Sequence, residues 1–133
     1  MSKSDVESAQ IGLLDTPEVL KRKVMKATTD GMAGISYDPE TRPGISNLVD
    51  ILAACTNKSR NEITQEYKDY PSSKFKQVVA DALVTELTPI QERYTRLEAD
   101  KDHVEKILVQ GEENARKVGS ETIDLVMKAV GLI

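Results

Sequence analysis

A lysine set between two serines lies at the start of the chain, as Ser2, Lys3 and Ser4. Hydroxyls beside an ammonium can donate hydrogen bonds to phosphate oxygens, and the ammonium can offset charge developing on a departing pyrophosphate. Taken by themselves, a few polar residues at a chain start describe a solvated tail more readily than a phosphate site. Other chemistry-bearing patterns are thin. The single histidine, His103, and the single cysteine, Cys55, are far apart in sequence, and no Gly-x-Ser-x-Gly elbow is present. Nucleophilic catalysis by a Ser/His or Cys/His pair is therefore disfavoured. One cysteine excludes an intrachain disulfide and suits a reducing compartment, and one histidine argues against a His/Cys metal cage. Gly31, Gly34 and Gly44 lack both the Rossmann spacing and the Gly-Lys-Ser/Thr ending of a P-loop. His103 reads as a surface or helix-start residue.

The 133 residues carry a formal net charge of -4, so no global positive field draws the chain to nucleic acid or anionic lipid, and any RNA contact must be local. Only 4% of the residues are aromatic, which leaves burial to aliphatic side chains and favours helices. No apolar run approaches the roughly 18 to 20 residues needed to span a bilayer, and no signal-peptide core follows Met1. A soluble chain with no membrane partner is expected.

The elements that would position these residues follow from start and stop signals. Thr16, Pro17 and Glu18 predict a helix over 17–28, with Val19, Leu20, Val24 and Ala27 on its inner face and Lys21, Arg22 and Lys26 outward. Lys23 projects among the apolar positions, so its charge must snorkel, pair with an acid or meet a ligand. Residues 29–43 are rich in breakers and predict an irregular loop, with a possible short strand over Gly34 to Tyr37. Helices are expected over 44–55, with Ile45, Leu48, Val49, Leu52 and Ala53 inward, and from a capping box at Ser59 and Glu62 to about 68. The longest periodic stretch, 73–98, carries Phe75, Val79, Ala82, Leu83, Leu87, Ile90, Tyr94 and Leu97, and Pro89 predicts a kink inside it. A further helix capped by Asp100 or Asp102 is expected to end near Gly111, and a last one to run from there to Gly131. The predicted fold class is all-α, an antiparallel helical bundle with a flexible amino-terminal loop.

Several ordered stretches carry a resemblance. Ser2-Lys3-Ser4-Asp5 looks like the end of a Lys-Met-Ser-Lys-Ser loop, and Ile11-Gly12-Leu13-Leu14-Asp15-Thr16-Pro17-Glu18 follows at matching spacing. Lys23-Val24-Met25-Lys26-Ala27-Thr28-Thr29-Asp30, Tyr37-Asp38-Pro39-Glu40, Arg42-Pro43-Gly44-Ile45-Ser46-Asn47-Leu48 and Pro89-Ile90-Gln91-Glu92-Arg93-Tyr94 complete the series. From Ser2 to Ile133 the chain resembles the carboxy-terminal part of the tryptophanyl-tRNA synthetases, class I aminoacyl-tRNA synthetases of bacterial and organellar type.

The resemblance implies a parent ligase of protein biosynthesis that activates tryptophan with ATP, accompanied by Mg2+, and transfers it to the matching tRNA, as a homodimer. It implies that Lys3 is the catalytic lysine that helps hold the pyrophosphate, with Ser2 and Ser4 completing the ATP-binding loop. Residues 1–16 would be the remnant of that loop and its linker, and 17–133 the helical tRNA-facing domain. Lys21, Arg22, Lys26, Arg93 and Arg96 are the candidate tRNA contacts; the plainer alternative is a solvated surface with pairs such as Glu18–Arg22 and Glu92–Arg96. No lysine precedes Met1 and no Rossmann half is present, so the 133 residues alone are expected to be inactive. Asp100 to Lys106 looks like the animal organellar members and favours the mitochondrial matrix, with the bacterial cytoplasm as the alternative. The competing functional reading is a non-catalytic helical module that holds a protein or RNA partner.

Overall fold

The structure is a computed structural model that describes residues 10–133. Among them it holds α1 (Pro17–Lys26), α2 (Pro43–Thr56), α3 (Arg60–Glu66), α4 (Ser72–Ala99) and α5 (Lys101–Ala129), and no strand. The all-α class is the one the sequence predicts; the expected flexible loop at the amino terminus falls outside the described residues, apart from its last positions. Two compact units form, one ending at Gln91 and one running from Glu92 to Ile133, and α4 passes from the first into the second.

In the first unit the helix starts follow their sequence signals. Thr16 caps α1 by accepting the Val19 amide, with Pro17 in the first turn, and Ser59 and Glu62 form the reciprocal capping box of α3. α1 ends two residues earlier than predicted. Its last carbonyls find a different partner: the Lys76 ammonium donates to the Ala27 carbonyl at 2.7 Å, and Ala27 has already left helical geometry. Leu20 and Val24 from α1, Ile45, Leu48, Val49 and Leu52 from α2, Ile63 from α3, and Phe75, Val79, Leu83 and Leu87 from α4 are buried. Phe75 is wholly enclosed, and the Tyr67 ring stands 5.6 Å from it. Removing a side chain of that size from such a core costs about 3–5 kcal/mol.

The breaker-rich segment between α1 and α2 is ordered by a residue that sequence reading passed over. Arg42 is buried, and its guanidinium makes a fork on Asp30, with Nε donating at 3.0 Å and Nη2 at 2.7 Å. Nη1 donates to the Ser36 hydroxyl at 2.8 Å, and Nη2 also reaches the Met32 carbonyl. One side chain therefore gathers residues 30, 32 and 36, and a planar donor is what that geometry requires. The possible strand over Gly34 to Tyr37 does not form. Gly34 takes the left-handed conformation with φ 74°, and Ile35 makes a single amide bond to the Lys68 carbonyl at 3.0 Å rather than a ladder. Gly44 lies directly against the Thr28 carbonyl, where no Cβ fits.

The second unit departs further from expectation. α5 is one helix from Lys101 to Ala129 and passes through Gly111 without ending. A glycine in a helix costs only about 1 kcal/mol against alanine. Nothing in this stretch supplies the second stop signal that a break would need. Asp100 caps α5 by accepting the His103 amide. α4, by contrast, runs unbroken past Pro89 from Ser72 to Ala99, the single long helix expected there. The predicted core stripe of α4 is buried only as far as Leu87: Ile90, Tyr94 and Leu97 are 39–45% exposed, as are Val118, Ile123 and Val126 of α5 to a greater extent. Tyr94 and Leu97, like the α5 residues, belong to a unit built from one helix end and one long helix, which has no third element to close over an apolar stripe.

Two outcomes follow. Gly44→Ala places a methyl group against the Thr28 backbone, and urea unfolding should show a loss of about 1–3 kcal/mol with the denaturant slope unchanged. The guanidinium of Arg42 holds the Asp30 carboxyl below its ordinary value of 3.8. The native state thus binds the proton less readily than the unfolded chain, and the pair's stabilisation is complete above pH 3.8 and lost as pH falls through the lowered native value. The stability gap between the parent chain and Asp30→Asn should be flat from pH 7 to about 5 and shrink below 3.8 in acid-titrated melts.

Candidate functional site

Three elements hold the segment that leads into α1. In the turn over 12–15 the Gly12 amide donates to Asp15 Oδ2 at 2.8 Å, and the Asp15 amide returns a bond to the Gly12 carbonyl. Lys23 Nζ on α1 donates to the same carboxylate oxygen at 2.7 Å, and the Gln91 amide on α4 donates to the carbonyls of Leu13 and Asp15. Of the fates open to Lys23, pairing with an acid is the one realised, and its side chain is only 14% exposed. The Lys23 ammonium, followed by the Gly12 amide, keeps the Asp15 carboxyl below its usual range. Beside this pair lies a cavity of about 460 Å³, with Lys26, Thr28 and Asn47 among its polar lining and Ile11, Leu48 and Ile51 among its apolar lining.

The nucleotide-loop candidates Ser2, Lys3 and Ser4 lie outside the described residues. Lys21, Arg22 and Lys26 all stand exposed on α1, and Arg93 and Arg96 stand exposed on the part of α4 that belongs to the second unit. The structure thus brings the first three onto one helix and the other two onto another. Lys21 pairs with Asp81 at 2.9 Å, and with both side chains more than half exposed such a pair is worth less than about 1 kcal/mol. Neither Glu18–Arg22 nor Glu92–Arg96 is among the ion pairs of the described residues. His103 sits in the first turn of α5, where its amide meets the Asp100 cap at 3.1 Å. Burial, reinforced by Glu86, pushes the Cys55 thiol up and away from the reactive thiolate. Among the described residues no three His, Cys, Asp or Glu side chains are grouped to hold a metal ion.

One constellation escaped sequence reading. The Arg60 guanidinium lies over the Tyr37 ring at 4.8 Å from its centroid, while its Nε donates to Asp50 Oδ1 and the Tyr37 hydroxyl donates to Asp50 Oδ2 at 3.3 Å. Asp50 in turn raises the Arg60 pKa further above its ordinary value. An aromatic and a basic residue 23 positions apart show no adjacency in the sequence. They meet because the loop before α2 and the first residue of α3 flank the same acidic residue of α2.

The family model described as tRNA synthetases class I (W and Y) matches residues 1–88. The tryptophan–tRNA ligase of Rickettsia felis is 40% identical over 134 aligned residues, and tryptophan–tRNA ligase 1 of Streptomyces coelicolor is 41% identical; both alignments cover 100% of this chain. The crystal structure of tryptophanyl-tRNA synthetase from Mycoplasma pneumoniae superposes with a TM-score of 0.79 at 28% identity, again across 100% of the chain. The chain spans about two fifths of these relatives: 41% of the Rickettsia protein, 39% of the Streptomyces protein and 41% of the Mycoplasma chain. The order of motifs that begins at Ser2 and ends at Tyr94, the helical architecture and these matches agree, and the chain belongs to the class I tRNA synthetases of the tryptophan and tyrosine family.

Proposed function

We propose that this chain is the carboxy-terminal part of a tryptophan–tRNA ligase, a protein that activates tryptophan with ATP and transfers it to its tRNA. The observation that carries the reading is the 40% identity to a tryptophan–tRNA ligase sustained over the whole chain, from the polar loop at Ser2 to the last helix. Residues 1–16 serve as the end of the ATP loop and its linker, and residues 17–133 as the helical tRNA-facing domain. Ser2 and Ser4 contact phosphate oxygens, and Lys3 neutralises charge on the departing pyrophosphate as the aminoacyl-adenylate forms. Mg2+ accompanies the nucleotide, and the working ligase is a homodimer. Lys21, Arg22, Lys26, Arg93 and Arg96 meet tRNA phosphates. The relatives named above come from bacteria and lend no support to the mitochondrial matrix, so the bacterial cytoplasm is the compartment proposed.

The loop is half of an electrostatic grip. The remaining nucleotide contacts of a class I enzyme belong to the part of the relatives that this chain does not span. Holding the triphosphate from one side leaves it free to turn, which forfeits the gain from orientation as well as the charge stabilisation.

The 133 residues alone should show no tryptophan-dependent exchange of pyrophosphate into ATP. In the full-length ligase Lys3→Ala should slow adenylate synthesis about 10²- to 10³-fold, the usual cost of one preorganised donor to developing charge. Adenylate formation at the parent rate in that variant would refute the role given to Lys3. Arg93→Ala and Arg96→Ala should each weaken tRNA binding and lower the slope of log affinity against log salt by about one, as measured by filter binding across a salt series.

A further inference from the structure

We infer that Arg60, backed by Tyr37 and Asp50, is a stacking platform for an unpaired nucleobase of the tRNA, an inference that rests on the ligase reading above. The orientation of the guanidinium is set from two directions. The Tyr37 ring covers one of its faces at 4.8 Å, and its Nε edge is committed to Asp50, whose second oxygen accepts the Tyr37 hydroxyl. The side chain nonetheless stays 57% exposed, so part of the group still faces solvent. A planar, weakly hydrated cation with a fixed attitude is a surface on which bases stack.

The surroundings favour a base over a phosphate. Arg60 already has its counter-charge in Asp50, and the neighbouring Lys58 has its own in Glu66 at 2.6 Å, so little net positive charge is left to attract a phosphate. Glu62 is likewise engaged, in the capping box with Ser59. What remains is shape. An open-sided cavity of about 560 Å³ adjoins Arg60, with the short side chains of Ala53 and Ala54 in its lining leaving room for a ring. Lys58 and Asn61 also line it and carry donors and acceptors suited to base edges or a ribose 2′-hydroxyl.

The test uses the full-length ligase and three variants, Arg60→Ala, Arg60→Lys and Tyr37→Leu. Stacking on the guanidinium plane predicts that KM for tRNA in aminoacylation rises about tenfold in Arg60→Ala and by nearly as much in Arg60→Lys, which keeps the charge but loses the plane. Tyr37→Leu, which removes the backing ring, should give a smaller rise in the same direction. Tryptophan-dependent exchange of pyrophosphate into ATP, which needs no tRNA, should stay at the parent rate in all three variants and thereby report intact folding. The salt slope of tRNA affinity should not change, since no phosphate contact is lost.

Recovery of tRNA affinity by lysine, or a salt slope reduced by one, would make Arg60 a phosphate contact and overturn the platform. An unaltered KM for tRNA in Arg60→Ala, with exchange at the parent rate, would overturn it too and leave the surface to a protein partner or to water. Absence of exchange in the parent ligase would instead overturn the reading on which the inference stands.

Discussion

The fork between Arg42 and Asp30 is the contact on which the first unit depends. Between the end of α1 and the start of α2 the chain passes through Gly31, Gly34, Pro39 and short polar residues, with few apolar side chains to bury. Ile35 enters the core and Tyr37 packs against it, but the rest of the stretch has no hydrophobic face to hold it. One buried guanidinium substitutes for it by collecting a carboxylate, a hydroxyl and a carbonyl from three positions of the loop. A buried ion pair contributes less net stability than its geometry suggests, because both charges lose water. Its value here is specificity: the fan of donors is satisfied by one loop conformation, which also brings Gly44 against Thr28 and sets the entry of α2 into the core.

Much of the helical layout was legible from local chemistry. Thr16, Pro17 and the Ser59–Glu62 pair announce their helices because a cap is a bond between near neighbours. The apolar spacing of α2 and of the first half of α4 predicts the buried set from Ile45 to Leu87 for the same reason. Periodicity cannot say whether a partner exists. The stripe of α4 continues through Ile90, Tyr94 and Leu97 with unchanged spacing, yet all three side chains are exposed, Ile90 at the end of the first unit and the other two in the two-helix second unit. Gly111 misled for a related reason, since a glycine is a weak stop signal unless capping geometry accompanies it.

The candidate site was legible in part. The Lys23 anomaly was visible from spacing, and Asp15 resolves it eight residues upstream. The stack of Arg60 on Tyr37 was not visible, because it joins two segments across an acidic residue that is itself unremarkable in sequence. Long-range pairs of this kind depend on how the helices pack, which no local pattern encodes. Basic residues that share a helix, such as Lys21, Arg22 and Lys26, are the opposite case: their common element followed from sequence alone.

The continuity of α5 governs how this polypeptide melts. Twenty-nine residues at 1.5 Å each make a rod about 44 Å long, in which none of the residues is buried. Such a rod is sustained mainly by its own ladder of amide bonds and shortens by fraying from its ends as heat is applied. The packed helices around Phe75 give way together, in a single cooperative step. Far-ultraviolet ellipticity therefore sums a sharp sigmoid and a shallow slope, and a single fitted midpoint describes neither.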